Sequence, residues 1–238
     1  MSRMRVAAMA ALCALLGAGA ACAEDFAAVF GSRYEAAVSY VTAHAREWSA
    51  EMVRRGADPR VLVPVVFPEV LKYTLFRDEV ETLGLSVLYV SRGPRLADFS
   101  IGRFQMKPSF VEALERALGS APPPAFADIV AFPSTADERA RRAIRLDRLR
   151  DLTWDVAYLA AFGRLTAERF DLGSLEEVER VRFLAASYNR GFLLPRAEIE
   201  AAELWRIFPR GASGWPGPYR YTDIAVDFYL RVWSALSP

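Results

Sequence analysis

Three short segments of this 238-residue chain hold residues whose types suit chemistry as well as packing. The first, Val65-Val-Phe-Pro-Glu69, ends an almost wholly apolar run on a carboxylate. Burial penalises an ionised carboxylate. A glutamate in that setting therefore keeps its proton near neutral pH, as a general acid must to protonate a leaving oxygen. A plainer role fits as well, because Glu69 follows Pro68 and a carboxylate in the first turn of a helix is favoured by the helix dipole. The second segment is Asp98-Phe-Ser-Ile-Gly-Arg-Phe-Gln-Met106. Ser100 and Gly102 permit close backbone approach, and Gln105 offers a planar amide with donors and an acceptor. Neutral polar groups beside aromatic faces suit a sugar better than a phosphate. The same residues also read as a turn ahead of Pro108, with Phe104 and Met106 in the core. The third, Leu184-Ala-Ala-Ser-Tyr-Asn-Arg-Gly191, puts Tyr188 and Asn189 at the end of a helix, where Gly191 can take a left-handed turn. An ordinary helix terminus has the same pattern.

The elements that must position these residues are helices. Phe26, Val29, Phe30, Ala37, Val38, Val41, Ala45, Trp48 and Met52 recur at three- and four-residue steps, predicting one long helix that Gly56 ends. Asp58-Pro59 reads as a cap followed by proline at the first helical position. The helix from Arg60 to about Phe67 is apolar on every side and so buried, with a kink or break expected before Glu69 because of Pro64 and Pro68. Leu85 to Val90 fits strand or helix. Pro108 opens a further helix that Gly119 closes, and Ala121 to Ala125 is a stiff proline connection. Residues 137–165 read as helical, and their many arginines and aspartates as a solvated face. Ser174-Leu-Glu-Glu177 has the form of a capping box, a helix is expected near Glu198 to Trp205, and Thr222 to Trp233 makes the last one.

Composition narrows the function. With 53% hydrophobic and 25% charged residues the chain is neither disordered nor an integral membrane protein by type. Residues 1–23 read as a signal peptide: Arg3 and Arg5, an apolar stretch from Val6 to Leu16, then Ala21-Cys22-Ala23. Removing them takes out two arginines and no acid, so 30 basic against 29 acidic residues become 28 against 29. That balance does not suggest a nucleic-acid binder. Both cysteines, Cys13 and Cys22, leave with the peptide, which excludes thiol chemistry and disulfides from an exported mature chain. The single histidine, His44, excludes a multi-histidine zinc site. No nucleotide-binding glycine motif occurs, so no metal and no cofactor is expected.

Taken together and in order, the three segments resemble the lysozyme-like lytic transglycosylases and goose-type lysozymes. Those families carry a lone catalytic glutamate at a helix end, then G-x-x-Q-M, then A-Y-N-x-G. Glu69, Gly102-Arg-Phe-Gln105-Met106 and Ala186-Ser-Tyr188-Asn189-Arg-Gly191 match these, and Tyr219-Arg-Tyr221-Thr222 resembles the aromatic lead into their final helix. The resemblance implies a mostly α fold, a single lysozyme-like helical domain with a substrate cleft over residues 24–238, of which 24–57 are the N-terminal helix. It also implies cleavage of the bond between N-acetylmuramic acid and N-acetylglucosamine in peptidoglycan glycan strands, with Glu69 as acid and then base. Ser100, Gly102, Gln105, Met106, Tyr188, Asn189 and Tyr221 would bind the sugar, and Asp98 would position a water if the enzyme hydrolyses.

The chain departs from the families at two places. Val70 stands where transglycosylases usually have serine. The distance from Glu69 to Gly102 is about twice that expected, an insertion over residues 74–96 that would either add a wall to the groove or shift the catalytic role to Glu79 or Glu81. The expectation is an exported bacterial enzyme, periplasmic or secreted, whose partner is peptidoglycan, with no nucleic acid and no integral membrane segment after signal cleavage. The alternatives are a non-catalytic peptidoglycan-binding or scaffold protein, a hydrolytic muramidase, and an exported helical interaction module.

Overall fold

A computed structural model describes residues 24–73, 79–209 and 217–236, the side chains of 79–83 excepted. The expected signal peptide, the first residues of the expected insertion and the side chains of Glu79 and Glu81 lie outside that description. The fold is mostly α.

The apolar stripe of residues 26–52 is helical, but in two pieces. α1 (Phe26–Phe30) stops at Gly31, whose φ of 54° turns the chain before α2 (Ser32–Arg54) begins. Asp58 caps α3 (Pro59–Tyr73) by accepting from the Arg60 amide at 2.9 Å. Residues 79–92, open between strand and helix by pattern, form α4 (Glu79–Arg92). α5 (Pro108–Leu118) opens on its proline and ends at Gly119. A 3-10 turn at Pro124–Phe126 leads into α6 (Ala127–Val130).

The stretch expected as continuous helix over 137–165 is divided. α7 (Glu138–Arg148) ends, and Asp151 accepts from the Thr153 amide to start α8 (Leu152–Arg169). α9 (Glu177–Arg190) starts two residues later than a cap at Ser174 requires. Glu176 and Glu179 form the reciprocal box, and the Ser174 hydroxyl donates instead to the Asp171 carbonyl. α10 covers Arg196–Ala202 rather than 198–205. β1 (Arg206–Phe208) and β2 (Tyr219–Arg220) pair antiparallel. α11 (Tyr221–Phe228) then continues as a π turn, Tyr229–Trp233, and α12 (Ser234–Leu236).

The arginine-rich run is not simply a solvated face. Arg145, Arg148 and Asp155 are all buried. Arg145 bonds Glu115 at 2.8 Å, and Arg148 donates to the carbonyls of Ile129 and Ala131 at 2.7 Å. Side chains at helical spacing split between faces, and a guanidinium with enough carbonyl partners can be taken inside.

α3 is the central element, packed by α2, α9, α11 and the π turn. Every residue from Val61 to Leu71 is buried, as its apolar composition requires. The break expected before Glu69 does not occur, and the helix runs through Pro64 and Pro68 to Tyr73. Proline removes an amide and crowds the carbonyl four residues back. Neighbouring elements supply bonds of their own: Trp233 Nε1 donates to the Pro59 carbonyl at 3.1 Å, and the Tyr221 hydroxyl to that of Val65 at 2.9 Å. Just beyond the second bond Phe67 stacks on Phe228, with ring centres 3.9 Å apart and planes 5° apart, and meets the edge of Tyr34. Truncating such a side chain removes its burial and leaves a cavity. Phe67→Ala should therefore lower stability by roughly 3–5 kcal/mol. Thermal denaturation followed by circular dichroism checks this; a loss below about 1 kcal/mol would mean that α3 is not held as described.

Candidate active site

A cleft of about 490 Å³ opens where the last turn of α3 meets the 98–107 segment, the start of α5, the end of α9 and residues 205–208. Of the residues singled out in the sequence, Glu69, Asp98, Ser100, Gln105, Met106, Tyr188, Asn189 and Tyr221 line it. Gly102 does not. None of the described residues of the 74–96 stretch reaches it either. α4 packs instead against α7, and its Tyr89 hydroxyl donates to Glu112 at 2.9 Å. Val70, in the place of the families' serine, is buried and off the cleft wall.

Glu69 sits one turn from the end of α3 with only 9% of its surface exposed. Its Oε2 is buried without a hydrogen-bond partner among the described residues. Lys72, on the same helix, approaches that oxygen to 3.9 Å, which is too far for a hydrogen bond. Burial pushes the carboxyl up to about 7, and the charges of Lys72 and Lys107 pull against that rise without cancelling it. Of the two sequence readings of Glu69, the helix-start role fails on position, because the residue lies near the C-terminal end of α3.

The second segment folds as a tight turn. Ile101 and Met106 pair as an antiparallel bridge, with the Ile101 amide donating to the Met106 carbonyl at 2.9 Å. Two residues within the turn have positive φ: Gly102 at 71° and Gln105 at 52°. For glutamine this is a sparsely populated conformation, found where surrounding contacts impose it. Both the Gln105 amide and its Nε2 donate to the Gly102 carbonyl, at 3.3 and 3.0 Å. Gly102 is needed for fit as well as for φ, because a Cβ there would lie 2.4 Å from the Leu149 carbonyl and 2.8 Å from Asp155 Oδ2. Its part is therefore to let the turn seat on α8, not to touch a ligand.

Asp155 escaped the sequence reading because it lay in a run taken as solvated. It is buried in the first turn of α8, where its Oδ2 accepts from the Phe104 amide at 3.5 Å and its Oδ1 has no hydrogen-bond partner among the described residues. Burial holds its carboxyl well above the usual range, against the backbone amides of Phe104 and Arg103. On the other side of the turn the Tyr188 hydroxyl donates to the Phe104 carbonyl at 2.7 Å. Asp155 and Tyr188 thus hold the two polar groups of one peptide residue. Burial and the nearby Glu69 raise the phenols of both Tyr188 and Tyr221. Tyr221 is buried and bonded to Val65, so it braces the helix that carries Glu69; it is not an exposed platform for a sugar ring. Asn189 is exposed on the wall, and Ser100 and Gln105 are half-buried there.

Asp98 is occupied. Its two oxygens accept from the Ser109 amide at 3.0 Å and the Ser109 hydroxyl at 2.8 Å, at the start of α5, and Lys107 lies 3.7 Å away. Among the described residues no group of three His, Cys, Asp or Glu could hold a metal ion. The cleft can donate a proton from one buried carboxyl and offer neutral amides and an aromatic wall to a polar ligand.

No known protein family, curated protein or solved structure matches this chain. The site has to be read from its own geometry.

Because folding raises the Glu69 pKa above its ordinary 4.5, the folded chain holds a proton that the unfolded chain releases between about pH 4.5 and 7. The protonated carboxyl costs nothing extra below that window, and stability falls as pH rises through it. Glu69→Gln removes this dependence. Relative to wild type, the variant should gain up to about 3 kcal/mol between pH 4.5 and pH 8, read from denaturant unfolding at both pH values. An unchanged difference would show that Glu69 titrates as an ordinary surface carboxylate.

Proposed function

We propose that the protein cleaves peptidoglycan glycan strands, at the bond between N-acetylmuramic acid and N-acetylglucosamine, as a lytic transglycosylase with Glu69 as its single acid and base. The observation that carries this reading is the buried carboxyl of Glu69, whose Oε2 has no hydrogen-bond partner among the described residues, on the wall of a cleft that also presents the amides of Gln105 and Asn189. A glycosidase with two working carboxylates needs the second one free. Here the other carboxylate on the wall, Asp98, is bonded to Ser109. This favours a mechanism in which the substrate assists and Glu69 alone serves as acid and then as base.

In that mechanism the protonated Glu69 gives its proton to the glycosidic oxygen. The C1–O bond breaks as the carbonyl oxygen of the neighbouring acetamido group bonds to C1, forming a cyclic oxazolinium. The carboxylate of Glu69 then takes the proton from the same sugar's 6-hydroxyl. The 6-oxygen bonds to C1, the oxazolinium reopens to the acetamide, and a 1,6-anhydro end results. Gln105 and Asn189, both on the cleft wall, would hold the sugar and its acetamido group, while Asp155 and Tyr188 hold the turn that presents Gln105. In keeping with a wall-cleaving role, residues 1–23 are read as an export signal.

A digest of purified peptidoglycan by residues 24–238, with the products read by mass spectrometry, tests the proposal. Anhydro-muropeptides are expected, falling roughly 10²–10⁴-fold in Glu69→Gln. Reducing ends would instead identify a hydrolase, and no product would leave a binding protein. The rate should decline on the alkaline side near pH 7, where Glu69 loses its proton. Since the Lys72 charge lowers the Glu69 pKa, Lys72→Met should move that decline to higher pH. A decline unmoved by the variant would separate the pH dependence from Glu69.

A further inference from the structure

The chain has 30 basic residues, of which only Lys72 and Lys107 are lysines, and both stand on the cleft wall. Elsewhere the cation is arginine, often tied to an acid one helical turn away, as in Arg54 with Glu51, Arg164 with Glu168 and Arg196 with Glu200. The cleft pair is held more loosely than those three, although Lys72 has the same one-turn spacing from its acid. Lys72 stands 3.9 Å from Glu69 and Lys107 3.7 Å from Asp98, and neither distance is a hydrogen bond. Their side chains are 23% and 53% exposed. A lysine ammonium is a compact charge on a flexible stem, free to turn its donors toward an arriving group.

The charge of the wall points the same way. Among the described residues its cations are Lys72, Lys107 and Arg190, the last lying over the Trp205 ring at 5.0 Å. Its acids are Glu69 and Asp98. Once Glu69 holds its proton, three cations face one carboxylate already bonded to Ser109, on a chain that is nearly neutral overall. A cleft for an uncharged glycan has no use for that excess.

We propose that Lys72 and Lys107 form an anion subsite beside Glu69 that selects glycans bearing a carboxylate close to the scissile bond over neutral glycans. This rests on the glycan-cleaving reading above and specifies its substrate. The carboxylate has two possible sources, the lactyl group of a peptide-free muramic acid or the acids of an attached stem peptide.

The test measures binding by calorimetry to the full-length Glu69→Gln chain, which does not consume its ligand. The probes are chitotetraose, a peptide-free tetrasaccharide alternating N-acetylglucosamine and N-acetylmuramic acid, and the same tetrasaccharide carrying stem peptides. At about 20 mM salt the carboxylate-bearing probes should bind roughly tenfold tighter than chitotetraose, and most of that advantage should vanish at about 500 mM salt. An advantage shared by both acidic probes assigns the lactyl carboxylate, and one confined to the peptide-bearing probe assigns the stem. Lys72→Gln with Lys107→Gln should bring the ratio close to one, while Lys72→Arg with Lys107→Arg keeps it. A ratio near one with both lysines present overturns the subsite and leaves the glycan reading standing, as does a ratio that survives their loss. Failure to bind any of the three probes overturns both.

Discussion

The cost of burying one carboxyl shapes this protein. Glu69 lies in the buried run from Val61 to Leu71, and its Oε2 is enclosed without a hydrogen-bond partner among the described residues. An ionised carboxylate there would lose most of its hydration, so the proton stays on to near neutral pH. That condition depends on α3 remaining helical and enclosed despite two internal prolines. The bonds from Trp233 and Tyr221, the stack of Phe228 on Phe67 and the packing of α2, α9 and α11 all serve it.

The same economy governs the opposing turn. Gln105 is held at positive φ, Gly102 has no room for a side chain, and Phe104 is fixed through its amide by Asp155 and through its carbonyl by Tyr188. A strained residue with its amide at a cleft, held by buried polar groups on both sides, is a rigid presentation of that amide. Tyr188 belongs at once to the core, against Phe110 and Phe162, and to the site. Packing and chemistry here are the same contacts.

Much of this was legible in residue order. The apolar approach to Glu69 announced its burial, and the spacing of Gly102, Gln105, Tyr188 and Asn189 marked segments that meet at or beside one cleft. Local pattern could not show where tertiary partners override it. Pro64 and Pro68 argued for a break because the donors that steady the helix come from residues more than 150 positions away. Asp155 looked solvated because its burial depends on a turn that precedes it by 51 residues. Tyr221 stood among the expected sugar-binding residues because an aromatic ahead of a helix does not reveal which way its hydroxyl points. The two lysines were visible in the count, but only the fold brings them together.

The claim on which the rest stands is that Glu69 is protonated close to neutral pH, and carbon NMR measures it directly. The side-chain carboxyl resonances of glutamate-labelled protein, titrated from pH 3 to pH 9 with Glu69→Gln to assign the signal, give its midpoint. The account predicts a midpoint near 7. A midpoint near the ordinary 4.5 would contradict it and remove the general acid from the cleft.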